Sequence, residues 1–190
     1  LHTSGHNVAA DELMSEWKET HRAMVFPWNC DNYGHMNVRF FFDQFDDASF
    51  HSWPMIGCPQ TFFREHGVST VMARYVVDYV NEVPAGTLTV ITSALTRVGN
   101  RSIGFTHRMH NSESGELCAT MDAVEVLFDT QTRGSTPMPA PVRERLMTLL
   151  VKPDDVDESA GARKPAQSNP DAAGTWHEVH RGLVFPWRCD

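Results

Sequence analysis

The chain has 190 residues, enough for one domain with a full hydrophobic core and some additional sequence. Hydrophobic residues make up 41% of it and charged residues 21%, which is typical of globular proteins. The formal net charge of −8 argues against a nucleic-acid-binding surface and against attachment to anionic membranes by charge. A small anionic ligand is still compatible with this charge, because a local group of Arg side chains or backbone N–H groups can bind it.

Membrane, metal and disulfide signals are missing from the sequence. No run of about 18 apolar residues predicts a transmembrane helix, and the first residues lack the basic start and apolar centre of a signal peptide. The four cysteines form no CxxC pair, which is typical of reduced thiols in a cytoplasmic protein. The ten histidines show no metal-ligand spacing either, so we expect no metal.

The first predicted elements are a strand, a turn and a helix. Residues 20–28 are an apolar run that predicts a strand, and "NCDNYGHMN" after it is rich in turn formers. Residues 37–53 predict a helix with Asn37 as its N-cap. Its acidic residues Asp43, Asp46 and Asp47 are expected on a solvated face. The apolar stripe consists of Val38, Phe41, Phe42, Phe45, Ala48, Ser49 and Trp53.

Four strands and a second helix are predicted next. The strands cover residues 68–83, 87–98, 101–111 and 116–130, and the last is expected to be central because it is apolar on both faces. A helix that starts at prolines is predicted over residues 137–150. Three of the strands have a predicted apolar face: Val71, Ala73, Tyr75, Val77 and Tyr79; Leu88, Val90, Ala94 and Val98; Ile103, Phe105, His107 and Met109.

The sequence also predicts the domain organisation. Residues 18–150 form the predicted domain, after an N-terminal extension at 1–17 and before a linker at 151–175 that is expected to be disordered. Residues 176–190 repeat residues 17–31, with ten identities over fifteen positions at an offset of 159. One interpretation is that a second copy of the domain begins there. The other is a natural tail, which could lie along a sheet edge.

The turn and helix carry a family resemblance. "CDNYGHMNVRFFFDQFDDA" resembles the signature D-x-x-G-H-x-N-x-x-Y/F-x-x-x-F-x-x-A of hotdog-fold acyl-CoA thioesterases, the 4-hydroxybenzoyl-CoA thioesterase-like group. The sequence departs from it at Val38, where a second Asn is common, and at Phe41, where Tyr is frequent. With the strands that follow, the resemblance covers about residues 20–148. The matching positions are Asp31, Gly34, His35, Asn37, Phe41, Phe45 and Ala48.

The resemblance implies an α+β hotdog fold, in which a long antiparallel β-sheet wraps around one central α-helix. It implies hydrolysis of an acyl-CoA to a carboxylic acid and CoA, with no cofactor beyond the coenzyme A of the substrate. Asp31 would act as general base or as nucleophile, and His35 would bond the thioester or orient the turn. Backbone N–H groups at the helix N-terminus would polarise the thioester carbonyl, so Gly34, Met36 and Asn37 are predicted to bind substrate.

Other interpretations remain open at this point. Asp31 is also a typical helix-entry residue, and Asn37 a typical cap. The phosphates of CoA would meet Arg side chains, for which the candidates are Arg74, Arg97, Arg101 and Arg108.

In the resembling fold the ligand lies between two units, which implies a homodimer or tetramer. The alternatives are a non-catalytic hotdog module that binds acyl thioesters or has a structural role, and a hotdog hydratase, which the motif resembles less.

Overall fold

A computed structural model describes residues 17–151 of the chain. Nearly all of the predicted N-terminal extension, the linker and the partial repeat lie outside these residues. Among the described residues, no helix is long and apolar enough to cross a membrane. The elements are β1 (Lys18–Met24), a 3-10 turn (Pro27–Asn29), α1 (Val38–Met55), α2 (Gln60–Glu65), β2 (Ser69–Tyr79), β3 (Leu88–Val98), β4 (Ser102–Asn111), β5 (Leu117–Asp129), β6 (Gly134–Ser135) and α3 (Ala140–Met147).

The strands form one antiparallel sheet that curls around α1, which confirms the predicted hotdog fold. Its order is β1-β3-β4-β5-β2, and β6 pairs with β5. The strand predicted to be central, β5, is interior and is flanked by β4 and β2, whereas β4 is the middle strand. Short turns after β3 and β4 join neighbouring strands, as "GN" and "SESG" predict.

The helix α1 forms where its apolar period predicts it. Phe41, Phe45, Ala48 and Trp53 are buried against the sheet. Two members of the predicted apolar stripe, Val38 and Phe42, lie on the other flank and are 56% and 40% exposed, and Phe50 beside them is 61% exposed. These three side chains face solvent because the sheet covers only one side of α1 in a single chain.

The helix also runs further than predicted, and a second helix follows it. It continues through Pro54 and ends at Met55. Gly57 then adopts a positive φ of 72°, which glycine tolerates best. The short helix α2 lies in a segment for which the sequence analysis predicts no helix, because six residues are too few for a helical period to show.

A β-bulge in β2 corrects the predicted face of that strand. Met72 pairs with Glu125 and Arg74 with Val124, so Ala73 is the extra residue. Thr70 and Met72 therefore share the helix-facing side with Tyr75, Val77 and Tyr79, and Val71 is exposed instead. A strict two-residue alternation assigned Val71 and Ala73 to the wrong face.

The first part of β3 turns inward the face opposite to the predicted one. Leu88 is 41% exposed, whereas Thr89, Ile91, Ser93 and Leu95 are buried. A β-bulge between Leu95 and Arg97 then reverses the alternation, so Val98 packs against the core as predicted, and Ala94 is buried as well. The polar members of this inner face have partners. Thr89 Oγ1 donates to Gln44 Oε1 of α1 at 2.8 Å. Since hydrogen-bonded Thr and Ser can occupy core positions, hydrophobicity alone selected the wrong side for the first part of the strand.

A chain of hydrogen bonds centred on His107 crosses the core. Ser49 Oγ donates to the carbonyl of Phe45 at 3.0 Å, so it accepts at 3.4 Å from Nε2 of His107. Nδ1 of His107 is then the acceptor, and Ser93 Oγ donates to it at 2.6 Å. Thr20 Oγ1 lies 2.6 Å from Ser93 Oγ and donates to it. His107, on the predicted apolar face of β4, is therefore a core histidine with both ring nitrogens hydrogen-bonded.

Burial lowers the pKa of His107 from an ordinary 6.5 to about 3. The unfolded chain therefore takes up a proton below pH 6.5 that the folded chain does not. Hence the contribution of His107 to stability is complete above pH 6.5 and is lost as the pH falls toward 3. The free energy of unfolding should fall with a slope that approaches 1.4 kcal/mol per pH unit, roughly, for this group.

We predict that His107→Gln removes this component of the acid destabilisation. Gln keeps one donor and one acceptor but does not titrate. Urea unfolding between pH 7 and pH 5 measures the slope, and Phe105→Leu is a control that weakens the same core without removing a titratable group. Equal slopes for wild type and His107→Gln would contradict the prediction.

Candidate active site

The turn between β1 and α1 is a tight loop stabilised by backbone hydrogen bonds. Asp31 N–H donates to the carbonyl of His35 at 3.0 Å, and Gly34 N–H donates to that of Asp31 at 3.1 Å. Gly34 has φ +84°, a left-handed conformation that glycine adopts without a steric cost. Two isolated bridges, Cys30 to Met36 and His35 to Pro84, attach the loop to its surroundings.

The loop brings several predicted site residues to one open cleft of about 290 Å³. Asp31, His35 and Met36 line this cleft together with Val38, the first residue of α1. Gly34 and Asn37 are not part of its lining. Gly34 instead provides the left-handed turn of the loop, and Asn37 caps α1.

Asp31 is half-buried, and one of its carboxylate oxygens is occupied. Oδ1 accepts a hydrogen bond from the N–H of Tyr33 at 2.8 Å, which is an Asx-turn. No donor among residues 17–151 bonds the other oxygen, Oδ2. A carboxylate oxygen held in this way can accept a proton from water or attack a carbonyl carbon. The geometry of Asp31 therefore serves the loop through one oxygen and leaves the other for chemistry.

The backbone donors predicted between Gly34 and Asn37 are mostly engaged within the protein. Gly34 donates to Asp31, Met36 donates to Val83 at 2.7 Å, and Asn37 donates to Asn29 at 2.9 Å. Among the described residues, no acceptor bonds the N–H of His35 or of Val38. The Val38 N–H lies at the positive end of the helix dipole, where an oxygen that gains negative charge is stabilised. It is thus the better-placed donor, although the motif did not point to it.

His35 has a charged neighbour that the sequence did not predict. Its Nε2 lies 3.2 Å from Oε2 of Glu82, in the segment between β2 and β3. The pair is largely exposed, so its net contribution to stability is small. Its effect is to orient the imidazole at the edge of the cleft, where it can bond a ligand.

Most of the remaining wall of the cleft comes from the end of β2 and the segment after it, residues 79–83, which sequence reasoning did not connect with the motif. Tyr79 packs edge-on against Phe41, with ring centroids 5.2 Å apart. Burial raises the pKa of Tyr79 above its ordinary value. The Arg candidates for CoA phosphates lie outside this lining. Arg101 donates to the carbonyl of Ser135, and Arg108 lies over the ring of Trp17.

Comparison with protein families identifies the superfamily of this chain. The thioesterase-like superfamily matches residues 25–146, a range that includes the loop, α1 and all of the main strands except β1. The chain belongs to the thioesterase-like superfamily. No curated protein shows a significant match to this chain.

Solved structures share the fold of this superfamily member. A probable thioesterase from Escherichia coli is similar with a TM-score of 0.61 and 18% identity, over 70% of this chain and 99% of that one. A 1,4-dihydroxy-2-naphthoyl-CoA thioesterase from Synechocystis gives a TM-score of 0.57 and 15% identity, over 68% and 95%. A Staphylococcus aureus protein, solved in complex with CoA, gives 0.62 and 14%, over 78% and 96%.

Asn37 caps α1 as predicted, since its Oδ1 accepts from the N–H of Arg39 at 3.0 Å. We predict that Asn37→Ala lowers the free energy of unfolding by about 1 kcal/mol, because the N–H of Arg39 loses its acceptor. Asn37→Asp, which keeps the acceptor next to the positive end of the helix, should match the wild type within a few tenths of a kcal/mol, roughly. Urea unfolding at neutral pH compares the three proteins, and equal losses for Ala and Asp would contradict the cap.

Proposed function

We propose that this protein is an acyl-CoA thioesterase that hydrolyses an acyl-CoA to a carboxylic acid and CoA. The observation that carries the proposal is the juxtaposition of Asp31, His35 and the Val38 N–H in one cleft at the N-terminus of α1. Membership of the thioesterase-like superfamily supports the reaction class. The CoA complex of the similar Staphylococcus aureus protein supports coenzyme A as the leaving group.

In the proposed reaction the thioester carbonyl oxygen lies against the Val38 N–H, which stabilises the negative charge that develops there. Oδ2 of Asp31 then either takes a proton from the attacking water or attacks the carbonyl carbon to give an anhydride that water hydrolyses. His35, oriented by Glu82, bonds the substrate beside the thioester. CoA leaves as the thiolate, which becomes the thiol by taking up the proton that the hydrolysing water loses, and no further cofactor takes part.

We predict that Asp31→Asn lowers kcat/KM by about 100-fold or more, because the amide can act neither as base nor as nucleophile. Asp43→Asn is the matched control, since Asp43 is an exposed carboxylate on α1 outside the cleft. Release of free CoA thiol from a panel of acyl-CoAs measures both variants. If the wild type hydrolyses an acyl-CoA and Asp31→Asn hydrolyses it equally fast, the proposed role of Asp31 is refuted.

A second candidate function is binding of an acyl thioester without hydrolysis. The bond from Tyr33 N–H to Asp31 favours it, because this bond gives the carboxylate a structural role that needs no catalysis. Calorimetric binding of an acyl-CoA, without thiol release above the level of Asp31→Asn, would support this module over the enzyme.

We also propose that two copies assemble through β2. Among the described strands, β2 pairs only with β5, so its other edge has free backbone groups. Apolar side chains are exposed beside that edge, at Val71, Val76 and Tyr79, whereas β1 at the opposite edge is rich in charged residues. An apolar edge strand of this kind favours pairing with a second copy.

We predict that Val76→Lys converts a dimer, or a tetramer built from dimers, to smaller species, because a charge on this strand opposes edge-to-edge pairing. Leu88→Lys is the matched control, since Leu88 of β3 is 41% exposed and Val76 is 39% exposed. Sedimentation of the full chain measures the mass. A wild type that sediments as a monomer, or equal behaviour of both variants, would refute the interface.

A further inference from the structure

A second cavity, of about 190 Å³, lies between the C-terminal half of α1 and the first half of β2. Asp46 and Trp53 of α1, Tyr75 of β2 and Glu125 of β5 contribute to its walls. None of these residues lines the Asp31 cleft. Asp46 is eight residues along α1 from Val38 of that cleft, which is a separation of about 12 Å along the helix axis. This cavity is therefore a distinct place in the fold.

The cavity is lined by a carboxyl group at a core position. Glu125 is only 5% exposed and follows Ala119, Met121 and Ala123 on the inner face of β5. The indole N–H of Trp53 lies 3.2 Å from each of its carboxylate oxygens. No Lys or Arg of residues 17–151 forms a salt bridge with it. Hydrogen bonds from Trp53 and Thr70, rather than a cation, hold this carboxyl group, and it forms a polar part of the cavity wall.

A second acid faces the same space with unused bonding capacity. Asp46 was expected on a solvated face, but its Oδ1 accepts a hydrogen bond from the hydroxyl of Tyr75 at 3.0 Å. No donor in the described part of the chain bonds its other oxygen. A carboxylate can accept several hydrogen bonds, so Asp46 has an oxygen for a donor that enters the cavity.

The other walls determine the size and charge of the group that fits. Phe50, Trp53 and Phe63 make much of the surface aromatic. A dry cavity of about 150 Å³ is known to hold benzene, so about 190 Å³ accommodates one ring with a small substituent. Burial and the nearby Asp46 raise the pKa of Glu125, which favours its neutral form. The negative charge of Asp46 and the positive charge of Arg64 then offset each other in the cavity wall. This balance favours a neutral ligand over an anion or a cation.

We propose that this cavity is a second binding site, which takes a neutral apolar group carrying a hydroxyl. The hydroxyl donates to the free oxygen of Asp46, and the ring or hydrocarbon packs against the aromatic walls. Such a group could belong to a separate small molecule or to the far end of an acyl substrate. The second source rests on the proposed thioesterase function, whereas the first does not.

The test of binding uses p-cresol and toluene, which differ by the hydroxyl alone, added to the full chain. The indole N–H resonance of Trp53, assigned with Trp53→Phe, reports on the cavity because this group bonds Glu125. We expect p-cresol to shift the resonance with an affinity about tenfold or more above that of toluene. Asp46→Asn should weaken p-cresol by a similar factor, and Asp47→Asn, an exposed neighbour, should not.

Equal titrations by p-cresol and toluene, no shift with either, or equal effects of Asp46→Asn and Asp47→Asn would overturn the proposal. Thioester hydrolysis then identifies the source of the group. If it is the end of the substrate, p-cresol competes with a hydroxylated acyl-CoA, and Asp46→Asn raises KM for that substrate alone. If it is a separate molecule, p-cresol binds without competing. The binding result does not depend on turnover, so it stands even if the protein hydrolyses no acyl-CoA.

Discussion

Phe45, Ala48 and Trp53 of α1 are buried against the inner face of the curled sheet, and the positions of the other functional groups follow from this contact. The helix must present this face to β1, β3 and β4 and direct Trp53 to β5, so its N-terminus is fixed beside the loop that carries Asp31. The same rotation directs Ser49 to His107 and Trp53 to Glu125. A helix that turned by a quarter about its axis would lose the core and both polar contacts together.

The contact also explains why polar residues occur so deep in this protein. Ser49, Ser93 and His107 satisfy one another, and the bond from Ser49 to the helix backbone fixes the direction of every bond in the chain that follows. Glu125 is satisfied differently, by an indole N–H of the helix. Both arrangements connect α1 with the sheet through directional bonds. A purely apolar interface would specify the position of α1 along the sheet less strictly.

The sequence predicted those parts of the fold that depend on regular periodicity. The stripe through Phe41 and Phe45 identified α1, and the turn formers around Gly34 located the loop that carries Asp31. Periodicity failed where one residue breaks it or where polar residues are buried. Ala73 reverses the alternation within β2, and Thr89 and Ser93 make the inner face of β3 look like an outer one. The contribution of Glu82 and Tyr79 to the cleft depends on tertiary contacts across about fifty residues of chain, which local patterns do not encode.

The bulge at Ala73 has a consequence for comparing this protein with its relatives. Residues on either side of it, Met72 and Tyr75, face α1 together, although an odd number of positions separates them. A relative whose strand is regular would place the same two side chains two positions apart. An alignment without a gap would therefore match inward residues of one protein with outward residues of the other over half the strand. A single gap at Ala73 restores the correspondence. Thr70 and Met72 then align with the inward-facing residues of the relative.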